Sequence, residues 1–218
     1  VDGQGRLHLK IRRIGGEWYT SEIYSDQSFG YGEYRFQVDT NVEDLDRNTV
    51  AGLFTYLDDS NEIDIEFSRW GVGGNDVGQY VIQPYYHAGN TERFDPDLTG
   101  DYSTHKFDWH RDRVDFESYH GHYVDLSPGH ANYMHGWSYT GSDIPAEGNE
   151  RVHLNFWLAG GNAPADGQDA ELIISDFAVK PNEDPTVAID AGPSGVIADN
   201  DVTFEWSGSD DDGVVGYE

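Results

Sequence analysis

Glu62-Ile63-Asp64-Ile65-Glu66-Phe67 alternates acidic and apolar side chains at every step. A period of two is that of an extended strand. Ile63, Ile65 and Phe67 therefore belong to a core, while Glu62, Asp64 and Glu66 stand together on the opposite face. The same period continues in both directions along the chain. Upstream, Arg6-Leu7-His8-Leu9-Lys10-Ile11-Arg12 alternates, Gly15-Gly16 supplies a turn, and Trp18 to Tyr24 reads as one further extended run, so a hairpin is expected. Gly30-Tyr31-Gly32 interrupts before Glu33-Tyr34-Arg35-Phe36-Gln37-Val38-Asp39, and an acidic loop (Glu43, Asp44, Asp46) precedes the apolar Val50-Ala51-Gly52-Leu53-Phe54-Thr55-Tyr56. Downstream, strands are expected at 78–85, 104–109, 113–119, 151–158 and 170–179, joined by connections rich in Gly, Pro, Asn and Asp. No stretch holds a 3.6-residue apolar stripe for three turns. The fold class is accordingly all-β, a sandwich or barrel of many short strands.

Charge narrows the partners. The 218 residues carry 41 Asp and Glu against 13 Lys and Arg, a net charge of −28 that argues against nucleic acid, anionic membrane surfaces and phosphate-rich ligands. Only Lys10, Lys106 and Lys180 are lysines, and Asp outnumbers Glu 27 to 14. A Lys-poor, Asp-rich surface keeps a protein soluble at high salt, so a halophilic source is expected. With no cysteine, thiol catalysis, Cys-ligated zinc and disulfides are excluded. No run approaches the ~18 to 20 apolar residues of a membrane span. The chain begins at Val1 without a charged and then apolar leader, which fits either a removed signal peptide or a piece of something longer. The 14 Tyr and 6 Trp suit a β-rich core and also stacking on flat ligands such as sugar rings.

Lys180-Pro181-Asn182-Glu183-Asp184-Pro185 marks a break. Residues 181–218 contain ten acidic residues and no Lys or Arg, and Val187-Ala188-Ile189-Asp190, Val202-Thr203-Phe204-Glu205-Trp206 and Ser209-Asp210-Asp211-Asp212-Gly213 read as two strands and a turn. That is too short for an independent sandwich. The expected organisation is a β-sandwich over 1–180, then a linker and the truncated start of an Ig-like β domain over 181–218.

Three carboxylates on one strand face lie ~7 Å from neighbour to neighbour, which like-charge repulsion disfavours unless a proton is shared or the pKa values are split. Split pKa values are what a general acid and its partner base or nucleophile need. Glycoside hydrolysis uses such a pair, one carboxyl protonating the leaving oxygen and the other attacking the anomeric carbon or activating water. Glu62 and Glu66 start with Cα atoms ~13 Å apart on a flat strand. Twist, curvature and side-chain reach must bring them to the ~5 to 5.5 Å of a retaining enzyme. Asp64 between them can hydrogen-bond one and tune it. In so acidic a chain the carboxylates alone are a weak motif, which also fits a solvated strand face; the intervening Ile, Ile and Phe sharpen it.

Glu62-Ile63-Asp64-Ile65-Glu66-Phe67 resembles the active-site strand of glycoside hydrolase family 16, which includes lichenases, laminarinases, agarases, carrageenases and xyloglucan transglycosylases. Tyr19-Thr20-Ser21-Glu22-Ile23-Tyr24-Ser25 followed by Phe29-Gly30-Tyr31-Gly32-Glu33-Tyr34, then Leu53-Phe54-Thr55-Tyr56, His105-Lys106-Phe107-Asp108-Trp109 and Leu154-Asn155-Phe156-Trp157-Leu158, resemble further segments of that family in family order. The resemblance implies a two-sheet antiparallel β-sandwich, a jelly roll of the concanavalin A-like lectin/glucanase type, with a concave glycan cleft. It implies Glu62 as nucleophile, Glu66 as general acid/base and Asp64 as assisting carboxylate. Glu22, Asn155 and Trp157 match substrate-binding positions, and Tyr24 stands where lichenases carry an Arg. Trp157 also fits a core position, and Glu22 an ordinary surface acid. The spacing from Glu62 to Glu66 lacks the extra bulge residue of some members, which favours the lichenase and xyloglucan side. No cofactor is required, although family members often hold a structural Ca²⁺, here without assignable ligands.

Departures touch substrate identity. Family members carry further residues, including a strand, before the position of Val1, so part of the sandwich and the pairing of one edge are expected to be missing. Asp58-Asp59-Ser60-Asn61 lacks the Trp of lichenases, and Ser118-Tyr119-His120-Gly121 replaces a Val-Asp-Gly turn. His120, His122, His130 and His135 have no metal-ligand spacing and read as a solvated loop. Asp210-Asp211-Asp212-Gly213 lacks the later ligands of a calcium loop, and Trp70-Gly71-Val72-Gly73-Gly74-Asn75 reads as a flexible connection. The expected function is a secreted, monomeric, retaining endo-β-glycanase acting on a β-glucan-type polysaccharide, located outside the cell or at its surface. The rivals are a transglycosylase, a non-catalytic carbohydrate-binding sandwich, and a spacer in a surface protein.

Overall fold

The computed structural model describes residues 1–123, 129–182, 186–191 and 205–209. They divide into two compact units, Val1–Lys180 and Pro181–Glu218. The first unit starts with β1 (Leu7–Ile14), β2 (Glu17–Tyr19), β3 (Ser21–Tyr24), β4 (Gly32–Val38), β5 (Thr49–Asp58), β6 (Asn61–Phe67) and β7 (Gly78–Ile82). It continues with β8 (Thr91–Phe94), β9 (Ser103–Trp109), β10 (Val114–His120), β11 (Tyr133–Tyr139), β12 (Arg151–Leu158) and β13 (Ala170–Pro181). These strands build the two-sheet antiparallel jelly roll read from the sequence. One sheet has the order β11-β10-β9-β4-β13-β1-β2 and the other β3-β12-β5-β6-β7-β8. Among the described residues no helix is long and apolar enough to cross a membrane.

The alternation decides which faces meet. Leu9, Ile11, Phe36, Phe107 and Phe116 from the seven-stranded sheet and Leu53, Ile63, Ile65, Phe67 and Tyr80 from the six-stranded sheet are all at most 2% exposed. Each such side chain contributes about 1.5 to 3 kcal/mol by leaving water. Aromatic packing gives the core direction, with Tyr34 stacked on Phe107 at 4.8 Å and Tyr80 on Phe116 at the same separation.

Four elements differ from the sequence expectation. Trp18 to Tyr24 is not one strand. β2 pairs with β1 at the edge of the seven-stranded sheet, whereas β3 pairs with β12 at the edge of the other, so the chain changes sheets at Thr20. Ser21 fixes this corner from its side chain, its Oγ accepting from Lys10 N at 3.0 Å and donating to Lys10 O at 2.7 Å. A single hydroxyl thereby satisfies both backbone groups of a residue whose ladder partner has departed. The strand expected over 78–85 ends at Ile82, just before Gln83-Pro84, because proline has no N–H for the ladder. β8 and β11 went unseen in the sequence: Thr91-Glu92-Arg93-Phe94 is short and charged, and Tyr133-Met134-His135-Gly136-Trp137-Ser138-Tyr139 lacks strict alternation.

The second unit contains β14 (Thr186–Ala191) and β15 (Glu205–Ser209), paired antiparallel with Thr186 opposite Ser209. Val202-Thr203-Phe204 and Asp210–Gly213 lie outside the described residues.

Candidate active site

β6 is an inner strand, flanked by β5 and β7 without a register shift at its carboxylates. Its core-side residues Ile63, Ile65 and Phe67 are at most 1% exposed, so Glu62, Asp64 and Glu66 must project from the outer face of the sheet. The register lays out that face in rows. Arg93, Gln79, Glu66, Gly52, Asn155 and Glu22 lie opposite one another across β8, β7, β6, β5, β12 and β3. The next row holds Asp64, Phe54, His153 and Tyr24, and the one beyond it Glu62, Tyr56 and Arg151. All seven residues singled out in the sequence are thus on strands of this one sheet.

They do not all share one cleft. Glu62, Glu66, Trp70, Gln79, Gln83, Tyr85, Thr91, Arg93 and Trp157 line a cleft of about 560 Å³. Trp157 is half-buried there and meets Trp70 edge-on at 5.8 Å, which answers the choice between core and cleft in favour of the cleft. Glu22 and Tyr24 occupy the edge strand instead. Glu22 Oε1 contacts Nδ1 of His153 at 2.7 Å, and Tyr24 stacks on the same imidazole at 5.3 Å beneath the Arg151 guanidinium. Phe54 flanks His153 at 5.1 Å, so this neighbouring part of the face is an aromatic surface. Asn155 lies over Gly52, where a Cβ would stand 2.5 Å from Asn155 Oδ1. That oxygen is buried and takes no hydrogen bond from the protein.

The carboxylates have separated protonation states. Burial, with Glu62 and Glu66 on either side, holds Asp64 well above the usual carboxylate range, and Asp64 is 2% exposed. Its hydrogen bond with Glu62 raises it further, so the proton between the two is favoured on Asp64. Burial also raises Glu62, but that donated bond pulls it back toward ionisation. Glu66 is pushed up to about 7, chiefly by burial and then by Glu62, against the opposing pull of Gln79 and Arg93. Gln83 Nε2 donates to Asp64 Oδ2 at 3.2 Å, and Gln79 Nε2 to Glu66 Oε2 at 2.6 Å. The strand therefore carries three carboxyls raised to different degrees, the division that burial and like charge impose.

Sequence reading missed Trp70, Gln79, Gln83, Tyr85, Thr91 and Arg93. Trp70 was placed in a flexible connection; its backbone has φ 52°, and its indole N–H reaches Gln79 Oε1 at 3.3 Å. Gln79 was legible in principle, since it shares the two-residue period of 78–82. Arg93 was not, because β8 went unseen. The histidines take separate partners: His122 Nε2 lies 3.0 Å from Asp39, and His135 Nε2 3.2 Å from Glu92. Among the described residues no three His, Asp or Glu side chains gather to hold a metal ion, so no ligand set is assigned to a structural Ca²⁺.

Two antiparallel sheets with a cleft floored by paired carboxylates form the architecture of a β-sandwich glycosidase. The chain belongs to family 16 of the glycosyl hydrolases, whose family model matches residues 1–173. A prokaryotic β-1,3-1,4-glucanase (lichenase) from a mouse hindgut metagenome is similar, with 19% identity, a TM-score of 0.56, and 81% of this chain and 80% of that chain covered. A β-1,3-glucanase from Mycobacterium marinum is 19% identical with a TM-score of 0.60, covering 83% of this chain and 76% of that one. An immunostimulatory antigen and pseudo β-1,3-glucanase of Mycobacterium tuberculosis is also 19% identical, with a TM-score of 0.61 over 84% of this chain and 77% of that one. At these identities the likeness is one of fold. No curated protein matches the chain.

Proposed function

We propose that the first unit is a retaining endo-β-glycanase that hydrolyses internal linkages of a β-glucan-type polysaccharide. The observation that supports this best is the split protonation of one strand, with Asp64 and Glu66 driven toward the acid form by burial beside Glu62. Glu66 donates its proton to the glycosidic oxygen as that oxygen leaves, and the Glu62 carboxylate bonds to the anomeric carbon in its place. Glu66, now ionised, takes a proton from water, whose oxygen attacks the same carbon and releases Glu62. Asp64 holds Glu62 in position through its shared proton. Trp157, with Trp70 against it, gives a sugar ring an apolar wall, and Asn155, one strand beyond Gly52 in the row of Glu66, lies beneath that part of the face. Glu22 and Tyr24 bind the chain further along the same face. The anionic surface suits an extracellular setting of high salt.

Reducing-end release from laminarin, lichenan, xyloglucan and agarose at molar salt tests the reading. Glu62→Gln is expected to lower kcat on the best substrate by about a thousandfold or more, as loss of a nucleophile does. Full activity in that variant overturns the assignment. Oligosaccharide binding without reducing-end release, unchanged by Glu66→Gln, identifies a carbohydrate-binding sandwich instead.

A further inference from the structure

The Gln79 side chain is gripped at both ends. Its Oε1 accepts from Arg93 Nη1 at 2.7 Å and from Trp70 Nε1 at 3.3 Å, while its Nε2 donates to Glu66 Oε2 at 2.6 Å. Guanidinium and indole N–H groups only donate, so the end of the amide that faces them must be the oxygen. Gln79 can then present nothing but N–H to Glu66. Arg93 is itself anchored, its Nη2 donating to Ser68 O at 3.1 Å and to Asp76 O at 2.5 Å, at the two ends of the loop that joins β6 to β7. Its hydrogen-bond acceptors there are neutral. The register puts Arg93, Gln79 and Glu66 directly opposite one another on three adjacent strands, so the contact is built into the sheet.

We propose that Arg93 is a positioning residue for the acid/base carboxyl, acting through Gln79: it locks the amide so that Glu66 is always met by a donor. The inference rests on the reading of Glu66 as acid/base. A locked donor fixes the Glu66 rotamer in the cleft and favours its ionised form after proton transfer, when that form must accept a proton from water. The acid that bears on Glu66 is Glu62 on its own strand, with Asp64 between them, whereas Glu22 on β3 acts on Glu62, with His153 held to Glu22 and Arg151 over Tyr24 beyond. Burial raises Glu66 and Glu62 raises it further, so the Arg93–Gln79 pair limits the climb.

The test uses Arg93→Met, Arg93→Lys and Gln79→Leu, with two readouts. One is the side-chain carboxyl ¹³C titration of Glu66, assigned by its loss in Glu66→Gln. The other is the pH dependence of kcat and KM on the best glucan. Arg93→Met is expected to raise the Glu66 midpoint by about one unit. The basic limb of kcat/KM should move the same way, with kcat falling about tenfold and KM changing less than about twofold. Arg93→Lys keeps the charge without the fork, so the midpoint should move less while kcat still falls. Gln79→Leu cuts the relay but leaves Arg93 on both loop carbonyls, and should reproduce the midpoint shift without the loop being released. An unchanged Glu66 midpoint in both Arg93→Met and Gln79→Leu overturns the inference. A shifted midpoint in a protein that turns over no glycan supports the relay and overturns the acid/base reading.

Discussion

The Tyr80 hydroxyl donates to Ser118 Oγ at 2.6 Å, and this bond joins the two sheets through the middle of the core. Ser118 passes its own proton to Nδ1 of His105 at 2.7 Å, and His105 Nε2–H reaches Ser103 Oγ at 2.8 Å. All four residues are 0% exposed. A polar chain in such a place is stable only because every member has a partner. Tyr80→Phe removes one donor and keeps the ring, so it should cost about 1 kcal/mol. Ser118→Ala strands His105 Nδ1 and leaves the Tyr80 hydroxyl only His135 O at 3.3 Å, and should cost roughly 2 to 3 kcal/mol. Denaturant midpoints of the two variants check the order.

Stability should depend on pH through groups of opposite sign, buried His105 on one side and the raised carboxyls of β6, Glu66 among them, on the other. Burial pushes His105 down to about 3, so between pH 6.5 and 3 the unfolded chain binds more protons than the folded one, and stability is lost as pH falls. Glu66, raised to about 7, has the reverse effect: the folded chain binds the extra proton, and stability is lost as pH rises from about 4.5 to 7. Glu66→Gln removes the Glu66 part of this second slope. Its stability relative to the parent should therefore improve by roughly 3 kcal/mol between pH 4 and pH 8, measured by unfolding at both values. A difference that does not grow with pH would contradict the raised Glu66.

Gly52 faces Glu66 across the β5–β6 ladder and lies under Asn155. A Cβ there would stand 2.5 Å from Asn155 Oδ1 and 3.3 Å from Phe54 Cδ1. The amide can swing away, so Gly52→Ala should cost little stability but displace Asn155 from beneath the glycan face proposed above. An increase in KM of about tenfold with a thermal midpoint near that of the parent is expected.

Salt should stabilise the fold. With 41 acidic against 13 basic residues, most carboxylates have no cation to pair with. Raising NaCl from 0.1 to 1 M shortens the Debye length from ~10 to ~3 Å and damps their repulsion. The thermal midpoint should rise by several degrees over that range, and an equal osmolality of sucrose should not reproduce the slope.

What could be read from the sequence was whatever obeys a local period. Glu62–Phe67 declared its strand and its two faces at once because burial of Ile63, Ile65 and Phe67 leaves the carboxylates no other side. Neither the sheet change at Thr20 nor the strand status of Thr91–Phe94 has such a signature. The first is set by a long-range bond from Ser21 to Lys10, and the second by pairing with Gln79 and its neighbours. The same limit applies to the cleft. Its carboxylates were legible, but Trp70, Gln79 and Arg93 are brought together by register across three elements, which no single window contains. Glu22 and Tyr24 lie on the same sheet as Glu66, but on the edge strand three positions from β6, too far out to line its cleft.

The corner at Thr20 makes two distant margins of the sandwich into one mechanical part. β2 seals the rim of one sheet and β3 the rim of the other, with a single residue between them. Neither rim can fray without drawing on its counterpart. The aromatic surface around His153, which includes Tyr24 of β3, is thereby tethered to the opposite sheet rather than left on a free-swinging edge. Amide exchange in 17–19 and 21–24 should accordingly proceed as one cooperative opening, slowed or hastened together by anything that alters the Ser21 hydroxyl.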